Sequence, residues 1–267
     1  GKPYYEYRDT AMSSVGPFRP EWIEELCVVD DNELDNRQVQ WNNGHFMHQF
    51  TYFIGDVNYY YRGPDGEKKV AIMNTGDSVY GTPFRPHSFA TRKGAKKNGL
   101  ILALTYGNQL AADTQQELSA IGEELGMPYW LDFTSRKKAF WALFNFHRKC
   151  ASLSLEEITK RTGIDKDKVI QFENGLEIPS YETITTLAKA MNVNSRDLLP
   201  PDTIEDKVIV QHHNESPSWY YPESIKAYKI VELCHSKNLP FSKAFEFSIL
   251  KNNDDAILTC KNHPVCN

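Results

Sequence analysis

Gly44-His45-Phe46-Met47-His48-Gln49-Phe50-Thr51-Tyr52-Phe53-Ile54-Gly55-Asp56 is the stretch on which the fold turns. It is rich in aromatic and β-branched residues and ends on a Gly-Asp pair, which predicts a strand closed by a turn. In an extended chain alternate side chains share a face, so residues 45, 47 and 49 point one way. His45 and Gln49 therefore aim together, and His48 aims to the opposite face. A bulge would reverse that assignment.

The same texture extends outward to about residue 107. Val57-Asn58-Tyr59-Tyr60-Tyr61 and Val70-Ala71-Ile72-Met73 flank Arg62-Gly63-Pro64-Asp65-Gly66-Glu67, which predicts a hairpin. Further turn signals stand at Asn74-Thr75-Gly76-Asp77 and from Lys93 to Gly99. Short strands at this spacing predict an all-β sandwich or barrel. A helix is expected from about Ala111 to Leu125, on a 3–4 apolar spacing. The period then changes. Phe140, Leu143 and Phe144 begin a helix, Ser154 and Glu157 form a capping box, and helices follow at Lys166–Phe172 and Tyr181–Met191. Strand texture returns at Val208–Val210, Ala227–Val231, Ala244–Leu250 and Ala256–Leu258. The chain thus divides into 1–130, 135–201 and 205–267.

Composition sets the outer limits. The 267 residues are 40% hydrophobic with net charge −5, an ordinary globular balance that excludes fibrous and wholly disordered chains. The acidic balance argues against a nucleic-acid or membrane-surface protein, and no apolar run is long enough to span a membrane. Five scattered cysteines (Cys27, Cys150, Cys234, Cys260, Cys266) read as reduced thiols, which predicts a cytoplasmic protein. Cys260-x2-His263-x2-Cys266 is half a zinc site without a second half. Gly1-Lys2-Pro3-Tyr4-Tyr5 reads as the interior of a longer protein. A weak repeat pairs Tyr4-Tyr5 and Ile23–Cys27 with Tyr220-Tyr221 and Ile230–Cys234.

A second histidine, His87, follows Gly76-Asp77 and the bend Pro83-Phe84-Arg85-Pro86. Residues 40–92 resemble the two motifs of the cupin superfamily, whose first supplies a His and, four residues on, a Glu, and whose second supplies another His. Three ligands on one side of a metal, with the other side open, follow the logic of the facial triad of non-haem Fe(II) oxygenases. Position 49 departs from it, because an amide replaces the usual carboxylate. Three readings stay open: an iron site that uses Gln49, a decayed cupin without metal, or a site in which His48 replaces Gln49.

A His-x3-Gln cupin followed by a helical module and a further β segment resembles the cupin-type non-haem iron phosphonate oxygenases. This is the family of methylphosphonate synthase and 2-hydroxyethylphosphonate dioxygenase. The resemblance implies a mixed fold: a cupin (double-stranded β-helix or jelly-roll), a helix-turn-helix module and the start of a second cupin-like domain. It also implies an Fe(II) cofactor held by His45, Gln49 and His87. The implied reaction consumes O2 and cleaves 2-hydroxyethylphosphonate to methylphosphonate and CO2 without an external reductant. The alternative products are hydroxymethylphosphonate and formate. Asn42 matches a phosphonate contact of the family. For the dianion we expect a fork-like contact from Arg8, with hydroxyls from Tyr5 or Tyr7. Arg85 also stands within reach, and a surface ion pair with Glu6 or Asp9 is the ordinary alternative for Arg8. No catalytic residue is expected beyond the metal ligands.

Residues 154–199 resemble the helix-turn-helix of phage-repressor-type regulators, and a ligand-sensing regulator is the rival function. The cupin precedes the helices here, however, and the recognition helix carries Asp165, Asp167 and Glu173 against Lys166 and Lys168. Phosphates disfavour such a surface, so the module is expected to be a spacer and DNA is not an expected partner. No membrane partner is expected either, and a homo-oligomer is compatible with this composition.

Overall fold

The structure, a computed structural model, describes residues 2–10, 18–63, 65–106, 120–121, 125, 135–200, 208–236 and 243–250. It falls into two compact units, residues 1–124 with 206–267, and residues 125–205. Among the described residues it is mostly β, with four α-helices described along their length and two short 3-10 helices.

The first unit holds twelve strands among the described residues. They are β1 (Tyr5–Asp9), β2 (Phe18–Glu25), β3 (His48–Ile54), β4 (Val57–Arg62), β5 (Lys68–Met73), β6 (Ser78–Gly81), β7 (His87–Thr91), β8 (Gly99–Tyr106), β9 (Val208–Gln211), β10 (Ser218–Tyr221), β11 (Tyr228–Glu232) and β12 (Phe245–Ile249). One six-stranded sheet runs β1-β2-β8-β3-β6-β9, and three-stranded sheets run β5-β4-β7 and β10-β11-β12. The predicted hairpin is β4–β5, closed by the Gly63 N–H donating to the Glu67 carbonyl at 2.9 Å.

The core explains why β3 looks apolar on both sides. Phe53 packs with Ile23, Tyr59, Val79, Phe89 and Ile101, joining the six-stranded sheet to β4 and β7. Phe50, on the other face, packs with Tyr80, Tyr106, Leu233 and Cys234. A strand covered on both faces loses the clean polar alternation of a half-solvated one. Each of these fully buried large side chains contributes roughly 1.5–3 kcal/mol.

The segment from Val208 returns to this unit. β9 pairs antiparallel with β6, Val210 opposite Val79. The Asp77 carboxylate accepts from the His213 backbone N–H at 2.8 Å and bonds the His212 ring at 3.1 Å. Ser78 Oγ accepts from the Cys234 backbone N–H at 2.9 Å. The expected strands at 208, 227 and 244 are β9, β11 and β12. The expected strand at 256–258, the Cys260–Cys266 motif and nearly all of the expected helix at 111–125 lie outside the described residues.

The second unit holds α1 (Arg136–Cys150), α2 (Leu155–Thr162), α3 (Lys166–Glu173) and α4 (Tyr181–Met191). Each begins on a side chain that accepts an otherwise unpaired backbone N–H: Ser135, Ser154, Asp165 and Ser180. Gly163, at φ +69°, ends α2 in the left-handed region. Phe140, Phe144, Ile158, Phe172 and Leu187 form its core.

Candidate metal centre

Two loops bring the histidines together. Asn42 Oδ1 accepts from the Gly44 N–H at 2.9 Å and from the His87 N–H at 3.0 Å. The Asn42 N–H donates to the His87 carbonyl at 3.1 Å, and the Phe84 N–H donates to the His45 carbonyl at 2.7 Å. Gly44, at φ +83°, makes this approach possible, since a Cβ there would lie 2.6 Å from Arg85 N and 2.7 Å from Phe84 C. The chain entering β3 is therefore laced to the chain entering β7.

The result is a cavity of about 320 Å³ lined by His45, Gln49 and His87, with Asn42, Tyr5, Tyr7, Glu21, Ile23, Met47, Phe89, Ala103 and Thr105. A second, smaller cavity has the same three residues in its wall, together with Thr51 and Arg85. The alternation read from the sequence holds through the bend before β3, because 45, 47, 49 and 51 all line cavity wall. The His45 and His87 ring centroids are 5.0 Å apart.

His87 Nδ1 meets the Arg85 carbonyl at 2.8 Å, so that nitrogen carries the proton. Its Nε2 then keeps a lone pair, and it faces Asn42 Nδ2 at 3.2 Å. Gln49 Nε2 donates to Thr51 Oγ1 at 2.9 Å. Burial and the neighbouring His45 push the His87 imidazole down to about 3. Burial also lowers His45, opposed in part by its hydrogen bond with Gln49. Both rings are neutral near pH 7 and have lone pairs to give.

The other expected residues divide. His48 faces away, stacked near Tyr80 and Tyr106, with Nδ1 on the Tyr80 hydroxyl at 2.7 Å. Arg8 corrects the expectation: it lines neither cavity and instead gives Nε and Nη2 to Glu6 Oε1 at 3.0 and 2.8 Å on the exposed face of β1. Strand parity is the reason, for Tyr5 and Tyr7 line the cavity and Arg8 alternates with them. The Tyr5 hydroxyl is engaged with β7, donating to the Phe89 carbonyl at 3.1 Å and accepting from the Phe89 N–H at 3.0 Å. Tyr7 is half exposed. Strand parity placed Met47 on this face from the sequence, and the same parity, extended two residues, marks Thr51, which the sequence reading left out. That reading also missed Glu21, which reaches the cavity through the β2–β8 and β1–β2 pairings and carries no local signal.

Two neutral imidazoles and an amide oxygen form a donor set that suits a divalent first-row metal. Among the described residues no group of three His, Cys, Asp or Glu that could hold a metal occurs. No helix there is long and apolar enough to cross a membrane.

No family model matches the chain. Over 254 residues, 95% of its length, it is 53% identical to a methylphosphonate synthase of Nitrosopumilus maritimus (strain SCM1), of which it spans 55%. Streptomyces albus HEPD with 2-hydroxyethylphosphonate and Fe(II) bound superposes with a TM-score of 0.68 at 37% identity, over 96% of this chain and 57% of that one. PhpD with cadmium, complexed with hydroethylphosphonate, shares the fold (TM-score 0.51, 20% identity, 92% of this chain and 59% of that one). The chain spans little more than half the length of these relatives.

Proposed function

The chain is a relative of methylphosphonate synthase, and from this we propose that it carries the iron site of an enzyme that oxidises 2-hydroxyethylphosphonate. The observation behind the proposal is that His45, Gln49 and His87 share one cavity wall. The reaction is the oxidative cleavage of the substrate's carbon–carbon bond with one O2, giving methylphosphonate, CO2 and water. The substrate supplies all four electrons, so no external reductant is needed. The solved HEPD with 2-hydroxyethylphosphonate and Fe(II) supports both the substrate class and the metal.

In this reading residues 1–130 form the metal-binding cupin, 135–201 a phage-repressor-like helix-turn-helix that acts as a spacer, and 205–267 the opening strands of a second cupin-like domain. Iron, when bound, supplies the position at which substrate oxygens and O2 meet. The chain's own work is placement. His87, its proton fixed on Nδ1 by the Arg85 carbonyl, offers Nε2, and His45 and Gln49 complete the set from β3 and its entry. Asn42, its Oδ1 held by the Gly44 and His87 N–H groups, has its Nδ2 at the edge of His87 to offer to a phosphonate oxygen. Because all three donors are neutral, the full positive charge of the metal remains to attract the dianion. That resolves the contrast between an acidic protein and an anionic substrate.

The test is anaerobic loading of the intact protein with Fe(II), addition of 2-hydroxyethylphosphonate and O2, and product analysis by phosphorus NMR. Methylphosphonate is the expected product. Hydroxymethylphosphonate alone would make the chain a dioxygenase, a reading that its likeness to HEPD keeps in play. His45→Ala and His87→Ala are each expected to lower turnover and Fe(II) affinity at least about 100-fold, beyond the roughly 10–100-fold that loss of a residue hydrogen-bonded to a ligand costs.

A further inference from the structure

A glutamine ligand poses a problem that a glutamate does not. The two oxygens of a carboxylate are equivalent, but the two ends of an amide are not. Only the oxygen has lone pairs to give a metal, since those of the nitrogen are delocalised. The amide must therefore be turned the right way round before the metal arrives.

In this structure the turning is done on β3. Gln49 Nε2 donates to Thr51 Oγ1 at 2.9 Å. Both residues are buried, two apart on one face of the strand, and both line the smaller cavity with His45 and His87. With the nitrogen held by Thr51, the oxygen is the end of the amide left to give to a metal. Thr51 is fully buried opposite Val79 and Ala103 in the two flanking strands, a place where valine would fit as well in shape.

We propose that Thr51 is a positioning residue, holding the Gln49 amide with its oxygen toward the metal, and that the chain needs it because its third ligand is an amide. The inference rests on the iron site proposed above. Thr51→Val is expected to weaken Fe(II) binding, measured by anaerobic calorimetry, by about tenfold, the scale of a lost buried hydrogen bond. Thr51→Ser, which keeps the hydroxyl, restores it. In a Gln49→Glu background Thr51→Val is expected to change affinity less than about twofold, because a carboxylate needs no sorting of its two ends.

Unchanged affinity in Thr51→Val, or an equal loss in both backgrounds, overturns the inference while leaving the iron site standing. Wild-type protein that binds no Fe(II) overturns the iron site as well. Circular dichroism checks the fold of each variant. Should Thr51→Val not fold, the wild-type protein decides by NMR. A Gln49 side-chain amide with one slowly exchanging proton supports the inference, and two rapidly exchanging protons overturn it.

Discussion

Glu25 lies fully buried on β2, and among the described residues neither of its carboxylate oxygens has a hydrogen-bond partner. Burial raises its proton affinity well above the ordinary carboxylate range, so it stays neutral where exposed acids are charged. The folded state then holds a proton that the unfolded chain gives up. Stability is fully present below the unfolded value near 4.5 and is lost as pH rises through the folded value. Glu25→Gln is expected to flatten that loss and raise the melting temperature at pH 8 by ~5 °C, read by scanning calorimetry at pH 5 and pH 8. Gly44 carries the opposite expectation. A methyl group there meets the backbone of residues 84 and 85, so Gly44→Ala is expected to cost about 2–4 kcal/mol in urea unfolding and to weaken Fe(II) binding with it. At this scale the sequence was legible where parity was applied, and it placed His45, Gln49 and His48 correctly relative to one another. On β1 the same parity puts Arg8 on the face opposite Tyr5 and Tyr7, away from the cavity.

Among the elements, the helical unit depends on a charge pair as well as on its core. Arg148, near the end of α1, gives Nε to Glu173 Oε2 at 3.1 Å and Nη2 to Oε1 at 2.5 Å, joining α1 to α3. Both side chains are largely covered. Removing one partner strands the other, so Glu173→Gln is expected to destabilise the unit by about 2–3 kcal/mol, with loss of helical circular dichroism at a lower temperature. The starts of α2, α3 and α4 were legible because caps and turns are local, whereas α1 begins at Arg136, four residues before the Phe140 read as its opening. Strand pairing was not. β2 carries a proline and an inward glutamate, and it pairs with β1 on one side and, on the other, with β8, some eighty residues further along the chain. No short-range signal encodes that partnership.

At the scale of the molecule, the segment from Val208 is held to the first unit by Asp77 and by the β6–β9 ladder. Asp77→Ala is expected to leave β3 and β8 protected while amide exchange at residues 208–216 speeds up about tenfold or more, read by hydrogen–deuterium exchange. Equal protection in both proteins would refute the anchoring role. β6 and β9 share a sheet, yet the whole helical unit lies between them in sequence. This topology has a consequence for synthesis. A ribosome delivers β1 to β8 first and β9 only after about a hundred further residues, so the sheet must wait with one edge bare. The helices, whose contacts are local, can fold during that wait. The edge of β6 is thus the place where a nascent chain is open to pairing with the wrong strand, until residue 208 emerges to cover it.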